Sequence, residues 1–131
     1  MNLIEIAGTS EQMRLPYPPA KEHVLRHHRL TLFVPSVNGT GEIPVETRQH
    51  VLARCREVLC VMCGGATEWD AMGYWVSQTG FISERVTMIT AFFTGDREDI
   101  LSQIVNLCRW MKDILQQERV ALEVDSTLYL V

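Results

Sequence analysis

Long apolar runs are absent from the sequence, since none approaches the roughly 18 residues that a membrane-spanning helix requires. The opening stretch MNLIEIAGTSEQMRLPYPPAK also lacks the basic start and the continuous apolar core of a secretory signal. Basic charge is scarce as well, because 12 Lys and Arg stand against 16 Asp and Glu, for a net charge of -4 at pH 7. Nucleic-acid binding requires clustered basic residues, so we predict no contact with nucleic acid. Because the sequence also lacks a membrane-spanning run and an export signal, we predict a cytoplasmic protein that does not contact a membrane.

The composition lacks the signature of disorder, which is low hydrophobicity combined with high charge. Of the 131 residues, 47% are hydrophobic and 21% are charged, and this length suits a single domain.

Residues 1–28 show no sustained periodicity and contain LPYPPAK, whose prolines cannot join a helix or the centre of a sheet. We therefore predict an N-terminal arm over residues 1–28 and a folded domain over residues 29–131.

Strand and helix patterns alternate along the predicted domain. The segments HRLTLFV and VTMITAFF are rich in β-formers, and Val120, Leu122 and Val124 alternate as in a strand. Apolar residues recur at three- and four-residue steps after Pro44 and again after Asp96, a typical N-cap, which indicates two amphipathic helices. The order predicts an α+β, ferredoxin-like β-α-β-β-α-β fold, an antiparallel sheet with both helices on one face.

The segment GGATEWDAMGYWVSQTGFISERV, residues 64–86, predicts a β-hairpin rich in aromatic residues. SQTG is typical of a turn, and a loop of Gln78, Thr79 and a left-handed Gly80 fits a three-residue hairpin loop with a bulge. That loop would place Ser77 opposite Phe81 and fix the register of the whole hairpin.

In this register the two faces of the hairpin differ in character, because side chains alternate between them. The helix-covered face would carry Met72, Val76, Ile82, Val86, Met88 and Phe92. The other face would carry Trp69, Ala71, Gly73 and Trp75 beside Arg85, Thr87, Ile89 and Ala91. An exposed apolar patch on the order of several hundred Å² is unusual for a monomer, so we predict a binding surface there, with Trp69, Gly73, Trp75 and Arg85 as binding residues. The alternative is that the N-terminal arm covers this face and that the tryptophans only pack.

The four cysteines are Cys55, Cys60, Cys63 and Cys108, and without an export signal we expect reduced thiols. Cys60 and Cys63 have redox or metal spacing, but they close a helix, where the dipole disfavours a thiolate. We predict no metal site and no cofactor. Cys60 lies off the apolar stripe of the first helix, and we predict that it is the accessible thiol. The histidines accompany no recognisable nucleophile elbow and are predicted to be surface or arm residues.

Three acidic residues are the predicted candidates for catalysis. In the register above, Asp70 and Glu84 fall on the helix-covered face, and Glu118 lies where the second helix meets the last strand. A carboxylate in such a place must find a partner or shift its pKa. They suit metal ligation or general acid and base chemistry, but for Glu84 and Glu118 we favour a structural role, in which they hydrogen-bond to backbone at strand ends.

The motifs GATEWDAMGYW, GFISERV and QQERVALEVDS resemble an uncharacterised family of small bacterial domains of unknown function. The matching positions are Gly65 and Thr67, Gly73 and Trp75, Gly80 with Glu84 and Arg85, and Gln117, Glu118 and Val120. The resemblance covers roughly residues 29 to 131 and implies a strand–helix–hairpin–helix–strand core. It marks Trp75, Glu84, Arg85 and Glu118 as residues to mutate, and it implies no reaction.

Together these features favour a non-catalytic binding domain, a homodimer that uses the open face or the edges of its sheet to bind a protein or a small ligand. The alternative is a small hydrolase or nuclease that uses Asp70, Glu84 and Glu118. The residues alone leave open whether the protein is an enzyme.

Overall fold

The computed structural model describes residues 26–131 and the backbone of two short paired strands, Ile4–Glu5 and Gln12–Met13. The predicted arm of residues 1–28 therefore lies largely outside the described residues. His28 is the first residue of a strand in the main sheet, where the HRLTLFV pattern predicts that strand to begin.

The described domain has two helices and a five-stranded sheet. In chain order its elements are β1 (His28–Pro35), α1 (Val45–Cys63), β2 (Thr67–Ser77), β3 (Gly80–Phe93), α2 (Arg97–Leu115), β4 (Ala121–Val124) and β5 (Thr127–Leu130). Two-residue strands, Val37–Asn38 and Gly41–Glu42, form a small hairpin between β1 and α1. The sheet order is β2-β3-β1-β4-β5, and all neighbouring strands are antiparallel. The protein is thus of the α+β class, with an arrangement compatible with a ferredoxin-like fold.

The two helices begin and end where local signals place them. Pro44 precedes α1 with a φ of -54°, which suits a helix start. Gly64 ends α1 in the left-handed conformation at φ 84°, and its N–H donates to the carbonyl of Cys60. The Asp96 side chain caps α2 by accepting the N–H of Glu98 at 2.9 Å, as predicted. Among the described residues, no helix combines the length and the apolar character that crossing a bilayer demands.

Both helices pack against the same side of the sheet in one hydrophobic core. Leu30, Leu32 and Val34 of β1 are fully buried there. The helices contribute Val51, Leu52, Cys55, Leu59 and Cys63 from α1 and Ile104, Leu107, Cys108, Met111 and Leu115 from α2. Because β1 is the central strand and is buried on its helix side, its apolar alternation fixes which side of the sheet faces the helices.

Strand β5 was not predicted as a separate strand. It follows β4 through a tight turn in which Asp125 and Ser126 have φ values of 50° and 70°. Two positive φ values at the turn residues match the type I′ hairpin geometry, which usually selects Asn or Gly. Neither residue is glycine, so the turn signal in the sequence is weak.

The predicted register of the β2–β3 hairpin is wrong by one residue. Ser77 pairs with Gly80 instead of Phe81, so the loop consists of Gln78 and Thr79 alone and contains no bulge. The Ser77 hydroxyl accepts the N–H of Thr79 at 3.2 Å and lies 3.0 Å from the carbonyl of Gly80, which supports the tighter loop. Gly80 has a φ of 131°, a conformation that favours glycine.

The shift exchanges the faces of every β3 residue while leaving those of β2 unchanged. We call the side away from the helices the open face. Its described strand residues include Trp69, Ala71, Gly73 and Trp75 of β2, and Ile82, Glu84, Val86, Met88, Thr90 and Phe92 of β3. The predicted placement of Ile82, Val86, Met88 and Phe92 under the helices is therefore wrong, and so is that of Arg85, Thr87, Ile89 and Ala91 on the opposite side. The two tryptophans do lie on the open face, as predicted.

At the end of the sheet that contains the β4–β5 turn, Asp125 joins three elements. Its Oδ1 accepts the backbone N–H of Arg29 at 2.9 Å, and its Oδ2 lies 2.7 Å from His28 Nδ1 and 3.2 Å from Arg97 Nε. Partial desolvation raises the pKa of Asp125, but the hydrogen bonds from Arg29, His28 and Arg97 outweigh it, and the pKa is lowered overall.

Because the folded-state pKa of Asp125 is lowered, its ionised form stabilises the fold above the unfolded-state pKa of about 3.9. This contribution is lost as the pH falls from that value through the folded pKa. We expect Asp125→Asn to reduce the free energy of unfolding at neutral pH by roughly 1 kcal/mol and to flatten its decline in acid. Asn tolerates the left-handed turn conformation, so the backbone is preserved. Urea unfolding at several pH values measures both effects. Asp113→Asn, at an exposed α2 position, is the control, and equal acid limbs for the two variants would contradict the assignment.

Candidate functional site

Glu84 is the only buried charged residue among residues 26–131, with 7% of its surface exposed. It lies on β3 just beyond the last residue pair between β1 and β3, Pro35 with Val86. Its Oε2 accepts the backbone N–H groups of Ser36 at 3.3 Å and Val37 at 3.2 Å. The chain that leaves β1 thus supplies the partners of this carboxylate.

The environment of Glu84 sets two opposing influences on its pKa. Desolvation by burial raises the pKa, whereas the N–H groups of Ser36 and Val37 and the positive charge of Arg48 lower it. Desolvation prevails, and the pKa of Glu84 is raised. A cation bound beside the carboxylate would oppose this rise, because it favours the ionised form.

Glu84 lines an open cleft of about 600 Å³, which we call the Glu84 cleft. Its walls come from the segment after β1, the first turn of α1 and the outer part of the β2–β3 hairpin. Lining residues include Ser36, Val37, Ile43, Arg48, Met72 and Arg85. Small-molecule sites typically have roughly 300–1,000 Å³ of volume, with apolar walls and a few polar groups, and this cleft is within that range.

Arg48 reaches the Glu84 cleft from α1 and is fixed on two sides. Its Nε donates to the carbonyl of Pro35 at 3.2 Å, and its Nη2 donates to the hydroxyl of Thr87. The Thr87 hydroxyl in turn donates to Asp70 Oδ1 at 2.8 Å, and Thr87 is only 1% exposed. This hydrogen-bonded chain ties Asp70 to the cleft and restricts the guanidinium to one position.

Sequence reasoning missed Arg48 and Thr87. A signal existed for the first, because Arg48 precedes Val51, Leu52 and Cys55 by three, four and seven residues and therefore lies on the buried stripe of α1. A charged residue on an apolar stripe requires a buried polar partner. For Thr87 no signal existed, since its partners come from α1 and β2.

The predicted acidic trio is only partly brought together. Asp70 lies on the helix side of the sheet, as predicted, and is exposed except for its bond to Thr87. Glu84 lies on the open face instead of the helix-covered face, because of the one-residue register shift. Glu118 is exposed after α2, and no hydrogen bond or ion pair with another described residue involves it. The trio does not form a three-carboxylate site.

The predicted binding residues also divide between the two faces. Trp69 and Trp75 remain 46% and 45% exposed on the open face. A Cβ added at Gly73 would lie 2.9 Å from the outer ring atoms of Trp75, so this indole lies over Gly73 and next to Val86. Arg85 belongs to the other face and lines the Glu84 cleft. Neither tryptophan lines the cleft, although Glu84 belongs to both the cleft and the open face.

No protein-family model matches the chain, and no curated protein sequence matches it. The resemblance to a family of small bacterial domains therefore stays a prediction. Two solved structures share its fold: a phage SAM lyase in the apo state, and a phage SAM lyase in complex with S-methyl-5'-thioadenosine. Each has a TM-score of 0.59 and covers 79% of this chain. They are 17% and 16% identical to it over 87% and 88% of their own length.

This finding corrects the functional interpretation drawn from the sequence. Both structures with the shared fold are lyases, and the prediction of a purely non-catalytic binding domain is therefore contradicted. The alternative of a hydrolase or nuclease lacks the site predicted for it, because Asp70, Glu84 and Glu118 are not grouped together among the described residues.

The cysteines separate into one exposed and three buried thiols. Cys60 is exposed, whereas Cys55, Cys63 and Cys108 are buried. Burial raises the pKa of Cys55 and of Cys108 to about 12, and it raises that of Cys63 as well. Within residues 26–131 no group of three or more Cys, His, Asp or Glu side chains is arranged around a common metal position.

We expect Cys60 to react rapidly with a thiol reagent in the folded protein, because it is the one exposed thiol among the four cysteines. Mass spectrometry after a short incubation with iodoacetamide measures the modification. Cys60→Ser should abolish the fast reaction, and Cys63→Ser should leave it intact. Rapid modification of Cys55 or Cys108 in the native state would contradict the placement of these residues in the core.

Proposed function

We propose that this protein is a lyase that cleaves SAM (S-adenosylmethionine) and that the Glu84 cleft is its active site. The observation that carries the proposal is the fold shared with two phage SAM lyase structures over most of both chains. Because one fold can host many functions, the site must support the assignment too. The buried carboxylate in an open cleft supplies that second line of support.

We further infer a ferredoxin-like core, with β5 added at the edge of the sheet, and a cytoplasmic location. The element order β1-α1-β2-β3-α2-β4 and the sheet order β2-β3-β1-β4 support the first inference. The second is supported by the four cysteines, all of which are free thiols in the structure.

One of the two phage SAM lyase structures contains S-methyl-5'-thioadenosine, and we propose that this compound is the product of the reaction. S-methyl-5'-thioadenosine keeps the S–CH₃ bond and the S–C5′ bond of SAM, so the bond that breaks is the one between sulfur and Cγ of the methionine part. The electron pair of that bond stays on sulfur and neutralises the sulfonium. A lyase uses no water, and the carboxylate oxygen of the substrate itself can form the new bond to Cγ, which closes a lactone. This route requires no nucleophile from the protein.

The protein's contribution in such a reaction is to bind and orient the substrate and to limit its contact with water. SAM carries two positive groups, the sulfonium and the α-ammonium, and a buried carboxylate attracts a cation more strongly than an exposed one does. Glu84 Oε2 is occupied by Ser36 and Val37, and no described residue donates a hydrogen bond to Oε1. Glu84 is therefore placed to hold a positive group of the substrate.

We expect purified protein to convert SAM into S-methyl-5'-thioadenosine, and Glu84→Gln to reduce this rate by about a hundredfold or more, because the neutral amide loses the charge that holds the cation. Liquid chromatography with mass detection measures the product. Glu98→Gln is the matched control, since Glu98 is an exposed carboxylate at the N-terminus of α2, near the opposite end of β3. Absence of product from the unaltered protein at millimolar SAM would refute the proposed activity.

We also propose that the protein self-associates through the open face. Several large apolar side chains are exposed there: Trp69, Trp75, Ile82, Phe92, Leu128 and Leu130. The charged residues of this face are the buried Glu84 and the pair Arg29 and Glu123, whose side chains lie 3.4 Å apart. Such a surface is mostly apolar and carries only two negative charges and one positive charge, so a second copy of this chain suits it better than a highly charged partner.

In sedimentation, we expect a species heavier than one 15.0 kDa chain. The double substitution Trp69→Ser and Trp75→Ser should shift it toward the monomer, because it removes two large apolar contacts. Val61→Ser is the control, since Val61 is 81% exposed on α1, in the other layer. A monomer at all concentrations would count against this surface, as would an oligomer that the tryptophan substitutions leave unchanged.

A further inference from the structure

The Glu84 cleft carries charges of both signs on its walls. The buried Glu84 and the exposed Glu42 contribute negative charges, and Arg48 and Arg85 contribute positive charges. Arg48 is close enough to Glu84 for its charge to act on the carboxylate, yet no hydrogen bond joins their side chains. The two charges therefore remain separate and face the same space.

Each group has bonding capacity to spare. Glu84 uses Oε2 for two backbone N–H groups, and its Oε1 has no described hydrogen-bond partner. Arg48 uses Nε and Nη2 for Pro35 and Thr87, and its Nη1 has none among the described residues. Arg85 is exposed, and its side chain makes no hydrogen bond with another described residue. A carboxylate acceptor and guanidinium donors are thus both available to a ligand.

We propose that the Glu84 cleft binds the free α-amino acid group of its ligand, with the ammonium on Glu84 and the carboxylate on Arg48 and Arg85. The proposal deepens the proposed function and rests on it, since it assigns the methionine end of SAM to this cleft. A guanidinium presents parallel N–H donors that match a carboxylate, and a carboxylate accepts from an ammonium.

The pairing of charges is what selects this class of ligand. A simple anion such as phosphate would meet the two arginines but also the buried negative charge of Glu84. A simple cation would be attracted by Glu84 and repelled by Arg48 and Arg85. In an α-amino acid the ammonium and the carboxylate are attached to one carbon. The ammonium can pair with Glu84 while the carboxylate pairs with the arginines, so no desolvated charge is left without a partner.

Two adenosine thioethers test the proposal by calorimetry. S-adenosylhomocysteine has the amino acid group, S-methyl-5'-thioadenosine lacks it, and neither carries a sulfonium that can be cleaved. We expect Arg48→Met and Glu84→Gln each to weaken S-adenosylhomocysteine by about ten- to a hundredfold and S-methyl-5'-thioadenosine by less than about twofold. Thr87→Val, which removes the hydroxyl that fixes Arg48, should act in the same direction.

Arg54→Met is the control for Arg48→Met, because Arg54 is exposed on the same helix and pairs with Glu57. Arg85→Met serves if the buried variants fail to fold, since Arg85 is exposed and should show the same selective loss. Equal weakening of both ligands would overturn the proposal, as would wild-type protein that binds S-adenosylhomocysteine no more tightly than S-methyl-5'-thioadenosine. If SAM is cleaved but the variants do not distinguish the two ligands, this inference fails and the proposed function stands. If the selective loss is found without cleavage, the proposed function fails and amino acid recognition stands.

Discussion

The difference in length between β1 and β3 is the constraint on which the candidate site depends. β1 pairs with β3 only as far as Pro35 and Val86, whereas β3 extends back to Gly80. Beyond that point the edge of β3 has no neighbouring strand from β1. The chain leaving β1 turns there and directs the N–H groups of Ser36 and Val37 at Glu84. These N–H groups offset part of the desolvation of the carboxylate, but burial still prevails and raises its pKa.

Polar groups around this carboxylate are arranged by residues from three different elements. Arg48 comes from α1, Thr87 from β3 and Asp70 from β2. The Arg48 guanidinium donates to the Thr87 hydroxyl, which donates in turn to the Asp70 carboxylate. The arrangement holds a guanidinium near Glu84 without neutralising it through a direct hydrogen bond. In a partly dry cleft, charges held in this way act on a ligand more strongly than the same charges in water. This separation of charges suits the proposed binding of a substrate that is itself charged at several positions.

The two faces of the sheet differ in role. The helix side buries the apolar stripes of α1 and α2 and provides the stability of the domain. The open face keeps its tryptophans half exposed, with Trp75 lying over Gly73 and next to Val86. The polar cleft lies at one end of the hairpin, apart from most of this aromatic surface. Glu84 is the residue that the proposed active site and the open face share.

Local signals in the sequence determined much of the architecture. Pro44, Gly64 and Asp96 marked helix ends, and the apolar periodicity of both helices and of β1 identified the core, because caps and periodicities act over a few residues. The tryptophans were assigned to the open face because alternation within one strand requires no knowledge of its partner. The tertiary structure alone decided the register of β3. A β2–β3 loop of two residues differs little in local energy from one of three, but it moves every side chain of β3 to the opposite face of the sheet. It alone brought Arg48, Thr87 and Asp70 to Glu84, because contacts between distant segments depend on how the elements pack and leave no pattern in the sequence of any one of them.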